Sequence, residues 1–182
     1  MALQPTLAGE RLLLRPLRYD DWDALFAVAA DPVIWALHPA HDRHEEPVFR
    51  AFFADAMASG GALVAIDKAT GAIVGSSRYA FERAEPGEVE IGWTFLARDY
   101  WGGSYNREMK RLMLGHAFGF ARRAIFLVGE ANLRSRRAME KIGGRLTERR
   151  HEAEMAGREI VHVIYAIDKA DYPRLPLHGG DA

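Results

Sequence analysis

The chain has 182 residues, 49% hydrophobic and 27% charged, with a formal net charge of -1 at pH 7 and no cysteine. That length and balance fit one soluble domain with a sizeable core, and near-neutrality gives no electrostatic reason to expect nucleic-acid or anionic-membrane partners. Without cysteine there is neither a disulfide nor a thiol nucleophile. This fits a reducing compartment, and because residues 1–10 lack an apolar signal core and no apolar run approaches the roughly 18 residues of a membrane span, the expected location is cytoplasmic.

In chain order, Arg11 to Leu17 reads as a short opening strand near a sheet edge, interrupted by Arg15 and Pro16. Asp20 is the expected cap of a helix carrying Trp22, Leu25, Phe26 and Ala29 on one face, which Asp31-Pro32 ends or kinks. A loop with a short helical turn follows from Val33 to Arg43. A second helix begins near His44, with Phe49, Phe52, Phe53, Ala56 and Met57 inward and Ser59-Gly60-Gly61 as its stop. Ala62 to Asp67 and Ala72 to Arg78 form an antiparallel hairpin around Lys68-Ala69-Thr70-Gly71.

From Glu88 the apolar positions Val89, Ile91, Trp93 and Phe95 alternate with Glu90, Gly92 and Thr94, the period of a two-faced strand. The period breaks at Tyr100-Trp101-Gly102-Gly103-Ser104-Tyr105-Asn106, and helical spacing takes over through Met109, Leu112, Met113, His116, Ala117 and Phe120. A glycine-bearing strand-to-helix turn presents unpaired N–H groups and the positive end of a helix dipole, a natural seat for a phosphate. Neither G-x-G-x-x-G nor a Walker A loop is present. After an apolar run from Ala124 to Val128 come Asn132-Leu133-Arg134-Ser135 and Glu140-Lys141-Ile142-Gly143, then strands at Arg145 to Glu154 and Glu159 to Asp168. The expected organisation is a single domain over 1–172 and a loose Pro- and Gly-rich tail over 173–182.

The turn resembles motif A of the GCN5-related N-acetyltransferases (GNAT), Q/R-x-x-G-x-G/A, matched here by Asp99, Gly102 and Ser104, of which Gly102 fits strictly. Tyr100-Trp101-Gly102 and Tyr105 look like the RimJ/RimL-type branch. Asn132 to Gly143 resembles motif B, N-x-x-S/A ending in E-K-x-G, at the spacing that one helix and one strand require. The resemblance implies an α/β (α+β) fold, a mixed, mostly antiparallel sheet of six to seven strands flanked by about four helices. It also implies acetyl-CoA as co-substrate, with an amine acceptor and direct attack in a ternary complex. In this pattern Gly102, Gly103, Ser104, Tyr105 and Asn106 hold the pyrophosphate. The main chain of Phe95 and Leu96 meets the pantetheine arm and the carbonyl oxygen, and Asn132 and Ser135 meet the pantetheine or its sulfur.

The RimJ/RimL-like pattern implies a strand glutamate at about this position, here Glu90, as general base, against the alternatives of a solvated strand carboxylate or an ion pair with an arginine on the neighbouring strand; Glu88 competes with it. Relatives place an acidic tyrosine where this chain has Met139, so Ser135, four residues earlier on the same face, is the candidate to serve the thiolate. Arg134, Arg136 and Arg137 form a basic cluster that either meets a phosphate or is a solvated face. Trp35, His38 and His41 fall where the family lines its acceptor pocket. His38, His41 and His44 have a metal-like spacing, but Pro39 spoils a regular helix, and no metal is expected. The acceptor amine is not readable from the sequence. Two other readings stand beside the enzyme: an acyl-CoA sensor without turnover and a partner-binding scaffold, either compatible with a homodimer.

Overall fold

A computed structural model describes residues 3–178. One eight-stranded sheet runs in the order β1-β2-β3-β4-β5-β6-β8-β7. The strands are β1 (Leu7–Ala8), β2 (Leu12–Pro16), β3 (Ala62–Asp67), β4 (Ile73–Ala80), β5 (Glu88–Leu96), β6 (Arg123–Gly129), β7 (Arg145–Met155) and β8 (Arg158–Asp168). The α-helices are α1 (Trp22–Ala29), α2 (Pro32–Trp35), α3 (Glu46–Ser59), α4 (Ser104–Ala117) and α5 (Leu133–Lys141). The expected six to seven strands and about four helices thus become eight and five. The added strand, β1, is two residues long, too short to show a period, and α2, four residues, is the short helical turn expected in the loop, begun one residue earlier at Pro32. β1 pairs with β2 and forms the edge, so β2 lies one strand in, near the edge as expected. The N-cap position of α1 falls on Asp21 rather than Asp20, after a 3-10 turn at Tyr19–Asp21. The Asp21 carboxylate receives the Arg15 guanidinium and the Arg18 N–H.

Two apolar layers cover the sheet. Met109, Met113, Leu114 and Ala117 of α4, with Met139 and Ile142 at α5, pack on Val89, Ile91, Ala124, Phe126 and Val128. On the opposite face, Leu25, Trp35, Phe49 and Phe53 from α1 to α3 pack on Val64 and Phe95. The tail expected to be loose is part of the first layer as far as it is described: Leu175 and Leu177 are buried there around two 3-10 turns. Residues 179–182 of that tail lie outside the described residues.

The position of α4 is fixed by an unusual tie. The buried Glu108 carboxylate accepts the backbone N–H groups of Glu10, Arg11 and Leu12, pinning the β1–β2 turn to the helix. Gly9 permits this, since a Cβ there would stand 2.1 Å from Glu108 Oε1. Glu108→Ala strands these donors at about 1–3 kcal/mol each where water cannot reach them, so a loss of about 3 kcal/mol in urea unfolding is expected. An unchanged midpoint would show that water replaces the carboxylate.

All strand pairs are antiparallel except β5 with β6, which are parallel and joined only at Glu88, Val89 and Glu90 opposite Arg123, Ala124 and Ile125. Beyond those pairs the strands diverge. The divergence coincides with an irregularity on the other side of β5, where the register with β4 shifts between Ser76 and Arg78 and Trp93 takes a φ of 52°. An extra residue in one strand bends it and strengthens its twist, which turns β5 away from β6 and opens a cleft in the sheet.

Candidate active site

Two connected cavities fill that cleft. One, of about 390 Å³, runs from Gly102 past Tyr100, Trp101 and Arg134 to Ser135, with Trp35, Phe95 and Leu96 in its walls. The other, of about 160 Å³, lies between Gly92, Trp93 and Thr94 of β5 and Phe126 to Gly129 of β6. His38, Thr94, Asn106, Asn132, Ser135 and Ala138 line both.

The glycine turn is built as the sequence suggests. Gly102 has a φ of 69°, a left-handed conformation that a side chain resists, and neither Gly102 nor Gly103 has an atom within 4 Å of where a Cβ would stand. Gly103 is the N-cap of α4 without a side-chain cap, so the N–H groups of the first turn face open space with the helix dipole behind them. Tyr105 contributes main chain only, because its ring packs at 4.7 Å against that of Tyr100, whose hydroxyl is bonded to Asp67. Asp99 sits in the 3-10 turn before the loop and lines neither cavity.

Phe95 and Leu96 part company. The Ala97 N–H donates to Val74 O, and by strand alternation the Phe95 N–H also faces β4, whereas that of Leu96 turns into the cleft. The Leu96 carbonyl already accepts from Trp101 Nε1. Of the two expected main-chain donors, Leu96 alone is turned toward a ligand.

On α5, the buried Asn132 caps the helix through Oδ1, which accepts the Ser135 N–H, and its NH2 remains for the cavities. Ser135 and Met139 stand one turn apart on the cavity side. Arg134 is no solvated side chain: its guanidinium lies 4.1 Å from the Trp101 ring centre and donates to Ile34 O, so it walls the larger cavity. Arg136 bonds Tyr165 and Glu130 O, while Arg137 is exposed.

Glu90 is 1% exposed and lies beside the cleft rather than in its wall. Its oxygens accept from Arg83 Nε at 2.9 Å and Nη2 at 2.5 Å, and Oε1 would be 3.1 Å from a Cβ on Gly92, which does line the cavity. Burial pushes its pKa up, against the opposing charge of Arg83. Arg83 and Arg78 both place their guanidinium groups over Trp93, at 4.7 and 4.4 Å. Glu88 is held by Arg149 and by the Glu85 N–H, away from both cavities.

The wall opposite α4 carries two histidines. Burial lowers His38 to about 3, and its Nδ1 accepts the Ala40 N–H. His162 is lowered to about 4, again chiefly by burial, and its Nδ1 has no partner among the described residues. Both are neutral at pH 7. The indole of Trp35 is 1% exposed and donates to Ala29 O, so its contribution to the cavity is a packed face. His44 Nδ1 bonds His41 O, and among the described residues no group of three His, Cys, Asp or Glu could hold a metal.

Sequence reasoning missed Lys110, which lines the smaller cavity and is 5% exposed. A signal was there. Lys110 heads the buried α4 stripe of Met113, Leu114 and Ala117, where a charged residue is out of place.

A cleft beside a glycine-started helix, with an amide-bearing second helix across from it, suits a long ligand with a phosphate at one end and a peptide-like arm at the other. The family model described as an acetyltransferase (GNAT) domain matches residues 11–145. The chain belongs to the GNAT acetyltransferases. As a GNAT enzyme it is an N-acetyltransferase with acetyl-CoA as acyl donor, and no helix among the described residues is long and apolar enough to cross a membrane. A comparison with curated proteins finds none that matches. Among solved structures, a GCN5-related N-acetyltransferase from Brucella melitensis is 22% identical, with a TM-score of 0.81 over 95% of this chain and 82% of that one. An acetyltransferase from T. thermophilus is 25% identical, at 0.75 over 94% and 93%. Mycobacterium smegmatis RimJ, solved in complex with CoA-disulfide, is 21% identical, at 0.74 over 96% and 92%.

The residues present suit coenzyme A. Its pyrophosphate would be held by the N–H groups from Gly102 to Asn106 and its pantetheine by Asn132, Ser135 and the Leu96 N–H. The thioester would supply an activated acetyl carbon.

Proposed function

We propose that this GNAT enzyme acetylates a primary amine, a protein N-terminus or a small-molecule amine, by direct attack within a ternary complex, in the manner of the RimJ/RimL-like branch. The observation that carries the reading is the cleft itself, whose smaller cavity is lined both from the α4–α5 side, by Lys110, Ser135 and Met139, and from the opposite face, by His38, Trp93 and His162. Donor and acceptor meet there from opposite faces of one sheet. The Leu96 N–H polarises the carbonyl, an oxyanion-hole role. Glu90 takes the proton of the acceptor amine through a water on the Trp93 side, with Arg83 fixing its orientation, and His38 and Trp35 shape the acceptor's approach. The absence of cysteine argues against a thiol-linked acetyl-enzyme. The reading places the enzyme in the cytoplasm, as one domain and a candidate homodimer, with neither nucleic acid nor membrane as partner; the net charge of -1 supports this.

The test is thiol release from acetyl-CoA in the presence of a free-N-terminal peptide, free amino acids, spermidine and an aminoglycoside, with product masses determined. Amine-dependent release and an acetylated product are expected. Tight acetyl-CoA binding without release above hydrolysis for any of them would overturn the acceptor assignment.

A further inference from the structure

The reaction leaves a coenzyme A thiolate that needs a proton, and the usual tyrosine position is Met139, which has none. Ser135 is a poor acid at neutral pH. Lys110 reaches the same cavity from α4. Its Nζ donates to Thr94 Oγ1 at 2.9 Å and lies 5.3 Å from the centre of the Phe126 ring, at the point where β5 and β6 part. Thr94 Oγ1 is in turn 2.8 Å from Ser77 Oγ, so one hydrogen bond fixes the ammonium head while its other protons face the cavity. No carboxylate lines that cavity, and its other titratable groups are the neutral His38 and His162. Of the charged neighbours on α4 itself, Glu108 and Arg111 are engaged with the β1–β2 turn and with each other, and Arg107 has an interaction of its own. A buried lysine without a counter-ion is costly unless the charge it awaits arrives with a ligand.

We propose that Lys110 is the catalytic acid of this enzyme, donating a proton from its ammonium group to the sulfur of departing coenzyme A. The proposal rests on the acetyl-transfer reading of the same cleft. As the acceptor nitrogen bonds to the acetyl carbon, the C–S bond breaks and its electron pair goes to sulfur. Lys110 gives sulfur a proton and becomes a neutral amine, the acceptor's proton leaves by the Glu90 side, and water reprotonates Lys110. Burial alone lowers the lysine to about 7, so a proton passes from it to a thiolate, whose ordinary value is about 8.5, without an uphill step. The Nζ protons face a cavity shared with Ser135 and Met139 on the α4–α5 side, where the sulfur lies, whereas Glu90 belongs to the opposite face.

The experiment needs no acceptor. Coenzyme A is bound to the wild type, to Lys110→Met and to Lys110→Gln, with binding followed by calorimetry and the bound thiol titrated by its ultraviolet thiolate absorbance. The wild-type thiolate absorbance is expected to appear at lower pH and over a broader range than in either variant, because thiol and Lys110 share a proton and titrate as a coupled pair, whereas the variants give a single ordinary step. Identical titrations in variants that bind coenzyme A would overturn the proposal and leave the acetyltransferase reading intact. A stable acetyl group found on Lys110 after incubation with acetyl-CoA would also overturn it, by making the lysine a nucleophile. A wild type that does not bind coenzyme A would bring down the assignment of the cleft, and the acid with it.

Discussion

Gly102→Val is expected to weaken coenzyme A binding by at least about 100-fold, roughly 2.7 kcal/mol. Two effects add. A β-branched residue at a φ of 69° costs about 1–2 kcal/mol in a left-handed conformation, and the isopropyl group occupies the space into which the α4 N–H groups point. Gly71→Val separates them: Gly71 has a φ of 74° and open surroundings in the β3–β4 turn, so it carries the strain without the ligand. That control is expected to lose stability and keep its affinity. Calorimetry with acetyl-CoA decides, and unchanged affinity in Gly102→Val would remove the turn from the binding site.

Glu90→Gln is expected to lower kcat by about 10²- to 10⁴-fold, the usual worth of a positioned general base, while leaving coenzyme A binding unaltered. The wild type should also lose activity as the pH falls through the Glu90 ionisation. Burial raises that value above the ordinary glutamate range, so the acid limb of kcat/KM lies correspondingly higher and disappears in the variant. Glu90 also holds Arg83, and the loss of a buried ion pair alone costs stability. Glu88→Gln breaks a comparable buried pair with Arg149 away from the cavities, so it should cost stability and leave kcat alone. Equal falls in kcat for both substitutions would reduce Glu90 to a structural role.

The elements that repeat a period over enough residues were legible in the sequence. The β5 strand, the α4 stripe and the β3–β4 turn at Lys68 to Gly71 all appear in the structure near their expected bounds, but the β5 alternation holds only for Val89 and Ile91: the irregularity at Trp93 turns Phe95 into the opposite layer. Gly102 and Asn132 could be placed because a left-handed turn and a helix cap each demand a narrow choice of residue. What escaped depends on contacts distant in sequence. Glu108 binds a turn about a hundred positions earlier, Leu175 and Leu177 have no periodic context, and Arg134 reads as one more surface arginine until Trp101 and Ile34 are seen beside it. The partner of Glu90, expected on a neighbouring strand, comes instead from Arg83, in the loop after β4. Lys110 was hidden for a different reason: its helical position is visible, but the cavity above it exists only because β5 and β6 separate.

That separation has a mechanical side. Strands β1 to β5 form one plate and β6 to β8 another, and the ladder between the plates is an isthmus of three residue pairs beside a long gap. The backbone groups along the gap, Leu96 among them, have no strand to meet. A ligand lying there would take the place of the missing rungs and brace the sheet against bending and shear while bound. Product release then amounts to taking a strut out of the frame.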